Sequence, residues 1–360
     1  MLCILLSVFR HLNTVSDFSF NPMDIKYLLN KLAEKQDLTT EEAQEFIDMC
    51  ASGSLAPSQV AAVLMGLRMK GETPDEIVGL IEGMRKHMIA VQSPENALDT
   101  CGTGGDGSNT FNISTTVALV VAATGVSVAK HGNRAASSKC GSADVLEALG
   151  VDIMLKPNQA SAVLKKVGFV FLFAPLYHPA MKYIAPVRKE IGIRTVFNFL
   201  GPLLNPAGVK RQIIGVPNTE IAKKLTGVLK KLAYDHVLLM TSQDGLDEIS
   251  TVASTSIIEI QKNKVKTYDI SPSDFGIGKT SQAELLGGDA VTNAKILINV
   301  LSGEQGPRRD IVSLNAGAAL YVAGKTKSIA DGKALAEKIL TDGSAKLLLE
   351  KLIDETQRYA

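Results

Sequence analysis

Charge of one sign is what this 360-residue sequence has least of. Its 38 Lys and Arg nearly balance 37 Asp and Glu, leaving a formal net charge of +1. No broad positive field therefore exists to hold a nucleic-acid backbone or an anionic membrane, and basic residues must act locally. Cysteine is scarce and scattered. Cys3, Cys50, Cys101 and Cys140 have neither CxxC nor Cys/His ligand spacing, which speaks against a structural zinc or a disulfide framework and fits a reducing cytoplasm. Long apolar runs are missing too. The nearest, Met1 to Phe9, is too short to span a bilayer and lacks a basic residue ahead of it and a small-residue cleavage pattern behind it. Residues 1–22 read as an N-terminal extension that adds nothing to the fold. No internal repeat and no low-complexity tract is found.

What is present is ample apolar material, 46% of the residues, enough for a sizeable core in two lobes. Residues 23–94 have a helical pattern, with Ile25, Leu28, Leu29 and Leu32 on one face. Thr39 with Glu42 reads as a capping box, and Thr73-Pro74-Asp75-Glu76 as a stronger one. Ile77, Leu80, Ile81, Met84 and Met88 form a stripe read as bundle core. From Leu98 short β-like runs alternate with helices, as in an α/β lobe on a mostly parallel sheet. The predicted strands are 98–101, 126–130, 167–173, 212–216 and 237–241. The fold class expected is α/β: a small all-helical N-terminal domain over 23–94, rejoined by 175–200, and a larger α/β domain over 95–174 and 201–360, with a cleft between them.

Gly102, Gly104, Gly105 and Gly107 lie between a strand and a helix predicted over 113–124. Glycines there let the backbone turn tightly and approach a ligand, and the helix start offers free N–H groups to an anion. The match to G-x-G-x-x-G lacks the acidic residue that a dinucleotide site needs after the next strand, since that strand ends in Lys130-His131. A P-loop is excluded by the missing Gly-Lys-Ser/Thr ending. Asp106, Asn112, Ser114 and Thr115 add polar groups; N-capping accounts for Asn112 or Ser114 singly, whereas a sugar diphosphate accounts for the set.

A second polar loop, Lys130 to Ser138, follows the next strand, with a helix starting near Ser142, which is placed to cap it. Loops at the carboxyl ends of neighbouring parallel strands meet in one crevice, so both loops face one ligand, with Lys130, Ser137, Ser138 and Ser142 supplying charge and donors. His131 is equally a general base or a hydrogen-bonded structural histidine. Asp247-Glu248, past the fifth strand, alone reads as solvated charge; beside a diphosphate it reads as a Mg²⁺ site. Arg188, in the stretch crossing between lobes, is either a partner for an acceptor carboxylate or an exposed helix arginine.

Gly-Thr-Gly-Gly-Asp with Asn-Ile-Ser-Thr, Lys-His-Gly-Asn-Arg with Gly-Ser-Ala-Asp, Arg-Thr-Val-Phe-Asn-Phe-Leu-Gly-Pro-Leu-Leu-Asn-Pro and the Asp-Glu pair together resemble the anthranilate phosphoribosyltransferase family, in order from about residue 24 to the C-terminal region. The resemblance implies transfer of phosphoribose from phosphoribosyl pyrophosphate to anthranilate with release of pyrophosphate, in tryptophan biosynthesis, by a homodimer joined through its helical domain. It implies donor contacts from Gly102, Gly105, Asp106, Thr110, Asn112, Ile113, Ser114, Thr115, Lys130, His131, Gly132, Asn133, Arg134, Ala135, Ala136, Ser137, Ser138 and Ser142. Mg²⁺ would be held by Ser114, Asp247 and Glu248, and anthranilate by Gly102, Asn133 and Arg188. No catalytic base is assigned, because the amine can lose its proton after attack. Two rivals remain: a pyrimidine nucleoside phosphorylase, which has no evident use for a paired-carboxylate metal site, and a non-catalytic nucleic-acid-binding relative, which needs a basic groove.

Overall fold

The protein is described from a computed structural model, which covers residues 24–135 and 139–360. The expected extension at 1–22, and Ala136, Ser137 and Ser138 of the second loop, lie outside the described residues.

Four helices open the described chain: α1 (Ile25–Ala33), α2 (Thr40–Ala51), α3 (Pro57–Lys70) and α4 (Pro74–Lys86). Local chemistry sets their starts. At Thr39 and Thr73 the hydroxyl accepts from the backbone N–H three residues on, while the Glu42 or Glu76 carboxylate accepts from the capping residue's own N–H. These bonds satisfy donors that a helix leaves open. Leu28, Phe46, Leu64, Ile77, Leu80, Ile81 and Met84 are buried, so the stripes form core. Met88 differs: it lies past the end of α4 and is only half-buried.

The α/β part continues with β1 (Leu98–Asp99), α5 (Ile113–Ala123), β2 (Val128–Gly132), α6 (Ser142–Ala148), α7 (Pro157–Val167), β3 (Phe169–Phe173), α8 (Ala174–Tyr177) and α9 (Met181–Ile191). It is completed by β4 (Arg211–Gly215), α10 (Thr219–Lys231), β5 (His236–Ser242), β6 (Thr255–Gln261), β7 (Lys264–Ile270), α11 (Ala290–Leu301), α12 (Pro307–Val322), α13 (Ile329–Thr341) and α14 (Ser344–Thr356). The described strands form one sheet in the order β3-β2-β1-β4-β5-β6-β7. The five strands read from sequence are its parallel part. An antiparallel hairpin, β6–β7, extends it beyond that reading.

Alternate residues of the central strands face opposite cores. Ile213, Leu238 and Met240 join α5, α11 and α12 in one. Ile214, Val237 and Leu239 join a second, which also holds Phe46, Leu64 and Leu80 of the N-terminal helices and Ile184 and Val187 of α9. Among the described residues no helix is long and apolar enough to cross a membrane. The sheet order brings the carboxyl ends of β1, β2, β4 and β5 to one edge, where loops from four strands converge.

Candidate active site

Glycines allow the loops at this edge to touch. Gly104, Gly105 and Gly107 have φ of 69°, 77° and 73°, the left-handed region that a Cβ disfavours. Gly104 N–H donates to Asp247 Oδ2 at 3.0 Å, and a Cβ on Gly102 would lie 2.9 Å from the same oxygen. At the end of β4, Gly215 accepts at its carbonyl from Thr103 N–H at 2.9 Å. A Cβ on Gly215 would fall 1.4 Å from the Asp247 carbonyl oxygen. The glycine-rich loop, β4 and the acidic turn thus meet with no room for side chains between them.

Lys130 reaches into this junction from β2. Only 2% exposed, its Nζ donates to Ser114 Oγ at 3.2 Å and to Thr100 Oγ1 at 3.4 Å. Burial, with the charge of Asp106 adding repulsion and the Gly104 N–H opposing, raises the Asp247 carboxyl to about 7. Burial, with Asp247 and Asp106 adding repulsion and Lys130 opposing, pushes Glu248 well above the usual carboxylate range. Asp99, wholly buried beneath the loop, is raised to about 6 by burial against the pull of Lys130 and of Asn205, whose Nδ2 donates to Asp99 Oδ2 at 2.7 Å. Asp106 and Lys130 therefore both act on the Glu248 carboxyl.

This crowding of carboxylates calls for a cation. Asp106 Oδ2, next to the Asp247 carboxyl, is buried with no hydrogen-bond partner among the described residues, so a hard oxygen ligand stands ready. Among the described residues no three His, Cys, Asp or Glu side chains form a metal cluster of their own. The adjacent buried carboxylates of Asp247 and Glu248 suit Mg²⁺, which takes one or two carboxylates and completes its shell with waters and ligand phosphates.

The remaining predicted residues divide. Asn112 heads α5 without capping it. Its side chain spans the two loops instead: Nδ2 donates to the Cys140 carbonyl at 3.2 Å, and Oδ1 accepts from Asn293 at 2.9 Å. Ile113 is buried, and Thr110 Oγ1 lies 3.3 Å from Ser108 Oγ. Ser142 does not cap α6. Gly141 is the cap residue, and the Asp144 carboxylate closes the turn by accepting from the N–H groups of Gly141 and Ala135. Ser142 Oγ donates to the Asn133 carbonyl at 3.2 Å, and a Cβ on Gly132 would strike that hydroxyl. The Arg134 guanidinium is taken by Asp144 at 3.0 Å and by Glu147 at 2.8 Å. Arg188 is half-buried, with its guanidinium over the Phe197 ring at 5.6 Å. Four residues escaped the sequence reading: Asn205, Asn293, Asn315, and Arg194, which donates to the Gly105 carbonyl. Arg194 and Asn205 lie within the quoted Arg-Thr-Val-Phe-Asn-Phe-Leu-Gly-Pro-Leu-Leu-Asn-Pro motif, the only signal that pointed to them.

The fold and this site define a glycosyl transferase of a two-domain type. Residues 26–88 match the glycosyl transferase family helical bundle domain and residues 94–346 the a/b domain of that family. The chain is 49% identical over 332 residues to the anthranilate phosphoribosyltransferase of Methanobrevibacter smithii, covering 92% of this chain and 99% of that protein. It is 47% identical over 329 residues to that of Geobacillus kaustophilus, covering 91% and 97%. The crystal structure of anthranilate phosphoribosyltransferase from Thermus thermophilus matches with a TM-score of 0.87 at 40% identity, over 92% of this chain and 99% of that one. The Saccharomyces cerevisiae enzyme, solved in complex with PRPP and Mg, matches with a TM-score of 0.85 at 28% identity, over 93% and 98%. The chain belongs to the anthranilate phosphoribosyltransferase family.

Proposed function

We propose that this chain transfers phosphoribose from phosphoribosyl pyrophosphate to the amine of anthranilate, releasing pyrophosphate, in tryptophan biosynthesis. The observation that carries the reading is the meeting of Lys130, Ser114 and the Asp247-Glu248 turn at the glycine-rich loop. Ser114, Asp247 and Glu248 would hold Mg²⁺, which when bound offsets charge on the diphosphate. As the bond from ribose C1 to pyrophosphate stretches, negative charge grows on the leaving group, and Lys130 with the loop amides stabilises it. The other donor-site residues of the two loops bind and orient the sugar phosphate, with Arg134 serving to brace the second loop. Gly102, Asn133 and Arg188 hold anthranilate in line with C1, so that positioning supplies most of the rate. His131 takes no proton, because both of its ring nitrogens are engaged.

In this reading residues 23–94 with 175–200 form the helical domain, 95–174 with 201–360 the donor-binding domain, and the acceptor enters the cleft between. Free thiols at Cys50 and Cys101 support a cytoplasmic enzyme, and exposed Tyr27 and Met69 on the helical part support a homodimer through that surface. Loss of anthranilate fluorescence, followed with and without phosphoribosyl pyrophosphate and Mg²⁺, tests the assignment; turnover is expected only when both are present. Phosphate-dependent release of base from thymidine or uridine would reassign the chain to the nucleoside phosphorylases. A salt-sensitive gel shift without turnover would make it a nucleic-acid binder.

A further inference from the structure

The turn that carries Asp247 and Glu248 is gripped from behind by buried polar groups to which none of the site chemistry above assigns a part. Asn315, in the middle of α12 and wholly buried, accepts at Oδ1 from Ile249 N–H at 2.8 Å. Its Nδ2 donates to the Ile249 carbonyl at 2.9 Å and to the Ile311 carbonyl of its own helix at 2.9 Å. From β5, Ser242 Oγ donates to the Glu248 carbonyl at 2.6 Å. From β6, the Thr255 hydroxyl donates to Ser242 Oγ at 2.7 Å and accepts from Ser250 N–H at 3.1 Å. Each oxygen and nitrogen in this chain has a consistent role, and the backbone at residues 248, 249 and 250 is fixed from two sides.

A buried amide inside a helix is costly unless fully hydrogen-bonded, and its helix propensity is poor. Asn315 meets that condition only by clasping both backbone groups of the residue that follows the acidic pair. We infer that Asn315, with Ser242 as its counterpart, is a positioning residue that aims the Asp247-Glu248 carboxylates at the metal. The inference rests on the metal reading above. Groups that orient metal ligands typically contribute about 10- to 100-fold in metal affinity or activity.

Calorimetric titration of the full-length protein with phosphoribosyl pyrophosphate, with Mg²⁺ or Mn²⁺ and without metal, tests this, alongside thermal melting and the donor KM. Asn315→Ala is expected to weaken metal-dependent donor binding about 10- to 100-fold and to raise the donor KM more than it lowers kcat, leaving metal-free donor binding unchanged. Ser242→Ala, which removes one hydrogen bond outside the helix, should shift binding the same way and decides the matter should Asn315→Ala not fold. Glu259→Gln, in a buried network on β6 with no contact to the turn, controls for lost stability. Should the Asn315 and Ser242 variants bind donor and metal like the wild type while melting earlier, as Glu259→Gln does, the positioning role is overturned and the metal site stands. If wild-type donor binding ignores metal and Asp247→Asn is silent, the metal reading itself fails.

Discussion

His178 Nε2 lies 3.2 Å from His131 Nε2, with the rings tilted 58° to each other. His131 Nδ1 is 3.1 Å from the Gly201 carbonyl, which can only accept, so that nitrogen carries the proton and Nε2 accepts from His178. Burial and the neighbouring His178 and Lys130 push His131 down to about 3, and burial holds His178 near 4. The pair is a neutral tie between β2 and the segment that leads into α9.

A neutral imidazole with both nitrogens occupied is no general base. His131→Ala is expected to lower kcat by the same factor at every pH between about 6 and 9, by loosening the tie, with no ionisation limb lost from the pH profile. Because the folded pKa values are depressed, the two histidines contribute stability above their ordinary pKa of about 6.5 that is lost as pH falls from there towards about 4 and then 3. Urea unfolding of His131→Asn across that range should give a flatter acid limb than the wild type.

Gly215→Ala places a methyl where the Asp247 carbonyl oxygen now sits. The backbone of the acidic turn has to retreat, at a cost of about 1–3 kcal/mol, and carry its carboxylates with it. Donor affinity in the presence of Mg²⁺, measured by calorimetry, is expected to fall about 10- to 100-fold, in line with that energy. Wild-type affinity in this variant would mean that the acidic turn does not hold the metal.

The acidic site predicts a pH effect of opposite sign to that of the histidines. Asp247 and Asp99 are raised to about 7 and about 6 in the folded protein, so between about pH 4 and pH 7 the native state binds more protons than the unfolded one. Stability from these groups is full below their ordinary pKa and declines as pH rises through that window. Metal binding requires the charged carboxylates and expels the protons. Titration of the donor with Mg²⁺ at about pH 6, in buffers of different ionisation enthalpy, should register proton release, and Asp247→Asn should reduce it.

Glu259 offers a stability test remote from the acidic turn. It is buried, accepting from His236 Nε2 at 2.9 Å and from the Tyr321 hydroxyl at 2.7 Å. Glu259→Gln weakens charge-assisted bonds and is expected to lower the unfolding free energy by about 1–3 kcal/mol, with kcat unchanged. Denaturant unfolding and the fluorescence assay measure the two quantities.

Much of the fold was legible because its parallel strands are buried on both faces and read as apolar runs bounded by glycine or proline. The hairpin escaped for the opposite reason. β7 is mostly exposed and polar, and the turn joining it to β6 is Lys262-Asn263, with φ of 47° and 64°, a left-handed pair without the glycine that usually announces it. In the site, Gly102, Asp106, Lys130 and Glu248 announced themselves through residue types that chemistry needs. Asn293 and Asn315 gave no such signal, since a single asparagine in an apolar helix acquires meaning only when a loop distant in sequence folds against it. The pairing of Arg134 with Asp144 and Glu147 was equally silent, since it depends on how the second loop folds onto α6.

The second core mixes side chains from α1–α4 with Ile214, Val237 and Leu239 of the sheet. A cut near residue 90 would therefore strip one continuous oily layer from both fragments. Neither piece should be obtainable alone as a well-behaved species, and mixing them would have to rebuild the layer before any loop at the strand ends took shape. Limited proteolysis of the intact chain should spare that junction, however open it looks in the order of elements.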